Sequence, residues 1–577
     1  MKHKHGHTAN NAPQSSAPAS ASGRPAGETY VWVTAMGLTV GLTMILLLLA
    51  LVMYNGVCVF WPRNVALIEF ADDGNTRFRN GTFAMGVITV EQDRDVRDLT
   101  PEQRESPDPA DRREKQLFMG NRDAFGQSFA YFSAGDIERV SYPENVIRAE
   151  RMEWGDAIFF PVRLEQRVGD IIEAGDPAFD TTLHKLVDEV DARRAAITRI
   201  ERHAIGRINL QMRDLELAER FYSRQDSLSP EQEAARDAIR QRMERLRAEY
   251  QPLADEAAAL RAKQEENRLV YRLVTDEERS MPLGQIVHYY YPNRLTVAGR
   301  AQLFFGHIWT FLSGYPREAN TEGGIFPAIF GTFVMTLLMS VAVMPFGIMA
   351  AIYLREYAKQ GPLVRAVRIA INNLAGVPSI VFGIFGLGFF VYFVGGNIDR
   401  VFYDRALPTP TFGTPGILWA ALTLALMTVP VVIVATEEAL AAVPRGVREG
   451  SLACGASKWQ TIRYLVLPAS APGILTGLVL AMARGAGEVA PLMLVGVVAL
   501  APNLPIDGML PFIHLERKFM HLGFHIYDLG FQSPDSEAAK PMVFATTLVL
   551  ILLVVVLNLL AILVRNHLRK KYAADKF

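Results

Sequence analysis

Between Tyr30 and Trp61 the chain carries no charged residue, and Ile45 to Leu49 is continuously aliphatic. At about 1.5 Å per residue this stretch crosses a hydrocarbon core of about 30 Å with room to tilt. It is too long for the core of a signal peptide, so a retained transmembrane helix is predicted within 28–61. Strong apolar character returns after Gly324 in five segments: Ile325–Leu354, Ile369–Gly395, Ile417–Ala435, Ala471–Leu500 and Met542–Val564. Six spans are therefore expected, five of them in 325–577.

The stretch 62–324 follows other periods. Thr82-Phe83-Ala84-Met85-Gly86-Val87-Ile88-Thr89-Val90 alternates, and Asp156-Ala157-Ile158-Phe159-Phe160-Pro161-Val162 forms a second strand-like run, so a β-containing module is expected. From Thr181 to Phe221 the period turns helical. Leu183, Val187, Val190, Ile197, Ile200 and Ile205 recur at three-, four- and seven-residue steps, with one five-residue skip. Gln225 to Leu228 interrupts the pattern. Ser229-Pro230-Glu231-Gln232 then carries the residues of a capped helix start, and a second helix is predicted to Val270 with Pro252 as a bend point. Together they predict an αα-hairpin over 181–270, a coiled-coil arm of about 60 Å that serves as a spacer or as a partner-binding arm.

Bulk composition hides this division. Charged residues make up 21%, hydrophobic residues 50%, and the net charge is −1; mean hydropathy is only +0.13. These values exclude a disordered chain and a strongly basic nucleic-acid binder, but not a membrane protein whose polar part offsets its apolar part. Cys58 and Cys454 build no disulfide framework. Residues 1–27, with His3, His5 and His7 among Ala, Ser and Pro, read as a disordered cytoplasmic tail. His514, His521 and His525 lack a further ligand at metal spacing, so no metal site is expected. Gly-Lys-Ser/Thr occurs nowhere, which excludes ATP hydrolysis by a P-loop in this chain.

Basic residues are sorted by side. Arg355, Lys359, Arg365 and Arg368 follow the second span, Arg445, Arg448, Lys458 and Arg463 the fourth, and Arg565, Arg569, Lys570 and Lys571 the sixth. The loops after the third and fifth spans are poorer in net basic charge. The positive-inside rule then puts both termini in the cytoplasm and 62–324 outside it.

The loop 436–468 holds Glu449-Gly450-Ser451-Leu452-Ala453-Cys454-Gly455, then nine residues, then Leu465-Val466-Leu467-Pro468. Gly455 is placed to end a helix, and Ser457 to cap a second short one carrying Trp459 and Ile462. Pro468 marks re-entry into the membrane. Two short helices joined at a glycine make a knob suited to docking. This spacing resembles the EAA loop of ATP-binding-cassette importers, with Gly450 and Ser451 in place of two alanines and Leu465 in place of isoleucine. The resemblance implies that Glu449, Gly455, Leu465, Leu467 and Pro468 belong to the element that couples to a partner ATPase.

Three further segments narrow the likeness: Asn372-Asn373-Leu374-Ala375-Gly376-Val377-Pro378-Ser379, Thr436-Glu437-Glu438-Ala439-Leu440, and Ala483-Arg484-Gly485-Ala486-Gly487-Glu488. Together they look like the PstA-type permease of phosphate importers. The implied fold is an α-helical polytopic membrane protein with six helices of the ABC importer type and an inserted α+β extracytoplasmic domain. The implied partners are a homologous permease subunit, two ATPase subunits that carry ATP and Mg, and an extracytoplasmic phosphate-binding protein. No cofactor is expected on this chain, no catalytic residue, and no nucleic acid.

Arg484 and Glu488 carry a physical argument of their own. They are spaced i,i+4 within an apolar run, and a charge at mid-bilayer costs about 2.5–3.5 kcal/mol on insertion scales. Either the two neutralise each other to pack the bundle, or Arg484 offers its fork of donors to an oxyanion while Glu488 prevents overly tight binding. Ser379 and Asn373 are candidate neutral donors in the same pathway, or interhelical glue. One arginine does not separate phosphate from sulfate or molybdate. A membrane-anchored coiled-coil scaffold or sensor is the alternative from another class.

Overall fold

The computed structural model describes residues 28–70, 83–93, 112–167, 169–224, 228–317, 320–508, 512–533 and 535–574; the tail with His3, His5 and His7 lies outside them. The chain divides into two units, Met1–Tyr54 and Asn55–Phe577. The first contributes most of a single helix, Glu28–Cys58.

Among the described residues, six helices are long and apolar enough to cross a membrane: Tyr30–Cys58, Phe326–Tyr357, Ser379–Phe402, Ile417–Ala441, Lys458–Gly487 and Ser536–Lys570, here spans 1 to 6. Two differ from the segments marked by hydropathy. The apolar run from Ile369 is broken: Pro362–Leu374 forms a separate helix, and span 3 starts only at Ser379. Gly376 and Pro378 account for the break, because proline disfavours helical backbone at the residue before it. Span 5 ends at Gly487, not Leu500. The chain then turns through Pro491 into the four-residue helix Leu492–Val495 and reverses at Gly496, whose φ is 153°.

Span 4 is the most buried helix of the bundle, and small residues set how closely its neighbours approach. A Cβ on Gly347 of span 2 would lie 2.5 Å from Val432 Cγ1, one on Gly386 of span 3 would lie 2.2 Å from Thr423 Oγ1, and ones on Gly473 and Gly477 of span 5 would lie 2.5 Å from Ala439 and Ala435 Cβ. Without a hydrophobic drive between helices in lipid, such backbone contact supplies the packing energy. Gly347→Val is expected to destabilise the bundle by about 1–3 kcal/mol through overpacking, read as a lower unfolding temperature in detergent.

Residues 66–290 form two β modules of one design. In the first, strands β1 (Ala66–Phe70), β2 (Phe83–Asp93), β3 (Arg113–Phe118), β4 (Phe129–Ser133) and β5 (Ile137–Ser141) make an antiparallel sheet in the order β4-β3-β2-β1-β5. In the second, β6 (Ile147–Arg151), β7 (Ala157–Glu165), β9 (Arg268–Arg272), β10 (Glu278–Pro282) and β11 (Ile286–Tyr290) repeat it as β10-β9-β7-β6-β11, with β8 (Ile171–Glu173) paired to β7. A three-residue 3-10 turn precedes the last strand in both, at Ala134–Asp136 and Leu283–Gln285. The sequence carries the echo: Gly135-Asp136-Ile137 with Tyr142-Pro143, and Gly284-Gln285-Ile286 with Tyr291-Pro292. Phe70, Leu117, Phe159 and Tyr271 share one core across both sheets. Asn293 joins the modules, donating to Val65 O and Pro143 O and accepting from Val65 N.

The helical hairpin is inserted between β8 and β9. Its first limb runs Phe179–Arg199, passes through a π-helical turn at Ile200–Ile205, and continues Gly206–Ser223. The π turn falls on the five-residue skip between Ile200 and Ile205: the wider turn absorbs one extra residue and returns the apolar positions to the same face. The second limb, Pro230–Glu265, starts with Ser229 and Gln232 in a reciprocal capping box and runs through Pro252 without a break. It stops short of Val270, because Arg268–Arg272 pairs as β9. Phe179, Leu183, Val187 and Val190 root the arm in the shared core.

Candidate functional site

The charged pair sits where span 5 ends. Arg484 lies in the last turn, and Glu488 is the residue that caps it with extended backbone (φ −83°, ψ 131°). The two are thus not a stripe on one helix face. Their side chains meet across the helix end, Nε to Oε1 3.6 Å, and are 36% and 24% exposed. Gly485, between them, is buried against span 2: a Cβ there would be 2.4 Å from Met339 Sδ. The helix is therefore pinned on that face while Arg484 stays accessible.

The break ahead of span 3 meets the end of span 5. A Cβ on Gly383 would be 2.8 Å from Pro491 Cα, so the first turn of span 3, which Ser379 opens, packs beside the turn that follows Glu488. Discontinuous helices facing one another expose helix ends and unpaired backbone groups inside an apolar bundle, an arrangement that suits an anion path. Asn373 is placed differently. It stands exposed on Pro362–Leu374, ahead of the break.

The loop after span 4 has the helix–glycine–helix geometry expected of it. Helix Arg445–Ala453 is capped at Cys454, Gly455 turns with φ 85°, and Ser457 opens the next helix in a capping box with Gln460. Ser457→Ala is expected to cost about 1 kcal/mol at that start, visible as faster backbone hydrogen exchange at Gln460. The second helix is not short. It continues from Lys458 through a π turn at Ile462–Val466 into span 5, so Leu467 and Pro468 lie inside a continuous helix rather than at a re-entry point. The wide turn just before Pro468 gives its ring room and absorbs the missing donor.

Thr461, Ile462 and Val466 face inward, where the latter two pack with Ile352, Leu354, Ile433 and Leu440. Val447, Leu452, Trp459, Tyr464 and Leu465 face out, as does Glu449. An exposed apolar knob on a fixed base is what a docking element requires.

Ion pairs that sequence reasoning missed hold that base. Arg448 pairs with Glu356 at the end of span 2 (3.0 Å), and its fork also reaches Val443 O (2.5 Å) and Leu440 O (2.6 Å). Lys458 donates to Glu356 O and lies over the Tyr357 ring. Arg368 pairs with Glu437 of span 4 at 3.2 Å. In the sequence Arg368 and Arg448 served only as orientation markers; the signal for their role was glutamate at the apolar boundary, Glu356 at the end of span 2 and Glu437 at the end of span 4.

Beyond span 5, the histidines split into two kinds. His514 faces Asp507 Oδ1 (3.1 Å) and Glu516 Oε1 (3.4 Å). His521 and His525 are buried; His521 Nδ1 accepts from Gly523 N, and among the described residues its Nε2 and both His525 ring nitrogens find no partner. Burial alone pushes His521 down to about 3 and His525 down to about 4. Since the folded state then binds fewer protons than the unfolded one, stability is unaffected above pH 6.5 and falls as pH drops below it. At pH 5 the loss is about 2 kcal/mol per histidine. The His521→Phe/His525→Leu variant should flatten the fall in unfolding temperature between pH 7 and pH 5; an unchanged fall would assign it elsewhere.

The C-terminal part of the chain is similar to known transport proteins. The binding-protein-dependent transport system inner membrane component family matches residues 343–573. A probable ABC transporter permease protein, YqgI of Bacillus subtilis, is 30% identical over 288 residues, 49% of this chain and 90% of that protein. The phosphate transport system permease protein PstA 1 of Mycobacterium tuberculosis is 33% identical over 257 residues, 44% of this chain and 75% of that protein. Among solved structures, the inward-facing MetNI methionine ABC transporter covers 46% of this chain and 98% of that chain at 18% identity and a TM-score of 0.31. With its six apolar helices, its helix–glycine–helix loop and relatives covered over most of their length, the chain belongs to the multi-pass inner-membrane permeases of binding-protein-dependent ABC transporters, of the PstA type.

Proposed function

We propose that this chain is a permease subunit that carries inorganic phosphate across the cytoplasmic membrane. The observation that carries the reading is the Arg484–Glu488 pair at the end of span 5, beside the broken start of span 3. A guanidinium gives two parallel donors to phosphate oxygens, and the adjacent carboxylate keeps the anion from being held too tightly to leave. The relatives named as phosphate permeases support the choice of anion.

The partners in this reading are a homologous permease, two ATPases that bind ATP and Mg, and an extracytoplasmic phosphate-binding protein. Glu449, Gly455, Leu465, Leu467 and Pro468 belong to the segment that meets an ATPase, and ATP-driven closure rocks it to reverse the opening of the pathway. Ser379 supplies a neutral donor near the pair; Asn373 serves from the helix ahead of the break. In this reading both termini lie in the cytoplasm and 62–324 outside, which the sorting of basic residues supports.

The test is uptake of labelled phosphate, sulfate and molybdate into liposomes holding the assembled transporter and ATP. Phosphate uptake that depends on ATP and on the loaded binding protein supports the reading. Equal or greater transport of either competitor overturns the choice of anion.

A further inference from the structure

The helix Val297–Ser313 joins the second β module to span 2, and neither its length nor its sequence suits a loop or a span. Its 17 residues rise about 25 Å, short of a hydrocarbon core, and it contains no acidic residue. One face is apolar and uncovered: Val297 is 77% exposed, Phe305 67% and Trp309 71%. We propose that this helix lies flat in the membrane interface on the side of the β modules, with Phe305 and Trp309 in the boundary between headgroups and acyl chains, and that it holds the modules at a fixed height above the bilayer.

Contacts at both ends fix its depth and rotation. Phe304 meets Trp61 (ring centroids 5.7 Å) and Phe311 meets Phe60 (5.0 Å), both just past the point where span 1 ends. At its C-terminal end, Ile325 N donates to Phe311 O (2.8 Å) and Phe326 N to Gly314 O (3.1 Å), so the helix ends against the first residues of span 2. Phe311 is buried with Ala328 of span 2 and Ala545 of span 6. A helix tied to the end of one span and the start of the next sits at the level of the membrane boundary.

Arg300 and His307 turn the other way, toward the β modules, while Gln302 and Thr310 stay exposed. Arg300 reaches Asn64 and the carbonyls of Pro62 and Pro292 (both 3.4 Å). His307 lies against His288 and Tyr290, ring centroids 6.3 and 6.1 Å apart. An amphipathic helix with polar contacts to protein and Trp and Phe on the open face is the arrangement of an interfacial anchor.

The test uses the assembled transporter in vesicles of phosphatidylethanolamine and phosphatidylglycerol, with Cys58→Ser and Cys454→Ser as background. A nitroxide attached after Trp309→Cys should collide with oxygen far more than with a water-soluble nickel chelate. The ratio should be several-fold above that of a label attached after Glu244→Cys on the exposed side of the hairpin. A ratio favouring the chelate places the face in water and overturns the proposal. Weak collision with both reagents places it under protein and overturns it equally. Should the Trp309 variant fail to assemble, the same measurement after Phe305→Cys decides. Loss of fluorescence quenching by brominated lipids in Trp309→Phe, against the unsubstituted chain, gives a reading without a label.

Discussion

Arg484→Gln is expected to lower phosphate uptake by about 10–100-fold in reconstituted vesicles, with the protein still present in the membrane at normal levels. The estimate comes from losing charge-assisted hydrogen bonds worth about 1.5–3 kcal/mol to the passing anion. Glutamine keeps a neutral donor near the place of the arginine Nε and loses the charge and the outer fork. The bend in the backbone matters to this argument. Glu488 lies beyond the last helical residue, with only a 3.6 Å contact tying it to Arg484. The carboxylate is therefore free to part from the guanidinium without unwinding the helix, as an anion-exchange step demands. A pair locked at i,i+4 inside a continuous helix would have to break helical geometry or side-chain rotamers to do the same. Arg484→Lys should fall between, since it keeps charge and loses the fork. Uptake equal to wild type in Arg484→Gln would remove the pair from the pathway and leave it the role of packing the bundle.

What the sequence made legible follows from how local each signal is. The apolar runs of spans 2, 4 and 6, the alternation over 82–90 and the strand-like run over 156–162 are properties of a few adjacent residues, and they form helices and strands as read. The five-residue skip at Ile200–Ile205 was visible as a defect, and the π turn is its structural form. The errors come from places where hydropathy and backbone disagree. Residues 369–395 are apolar enough to read as one helix, yet Gly376 and Pro378 break it; residues 488–500 are as apolar as the helix before them, yet Pro491 and Gly496 turn the chain back. The repeated β module was missed for another reason. Its two copies share little beyond Gly-x-Ile and Tyr-Pro, and the hairpin inserted in the second separates β7 from β9 by about a hundred residues in sequence while they pair in space. The ion pairs at the coupling loop were missed because Glu356 and Arg448 are 92 positions apart, and charge alone does not say which partner a side chain finds.

Arg448→Ala should uncouple the loop from the spans. Arg448 is the only side chain that binds Glu356 of span 2 together with the Leu440 and Val443 carbonyls at the end of span 4 among the described contacts, and both members of the ion pair are largely buried, 20% and 12% exposed. Breaking a buried pair from one side costs about 3–5 kcal/mol, and partial exposure reduces this here to about 2 kcal/mol. The lost contacts bear on motion as well as stability. A push on the knob formed by Val447, Leu452 and Trp459 reaches span 2 through Arg448–Glu356, and span 5 through the continuous helix from Lys458. Without the first link, span 5 moves and span 2 does not follow. The expected result is ATPase activity near normal with phosphate moved per ATP reduced several-fold. Glu356→Gln, which keeps an acceptor for the guanidinium, should lose less, and the double variant should lose less than the sum of the two single ones. An unchanged ratio of transport to hydrolysis in Arg448→Ala would mean that the buried core of Ile352, Leu440 and Ile462 carries the movement by packing alone.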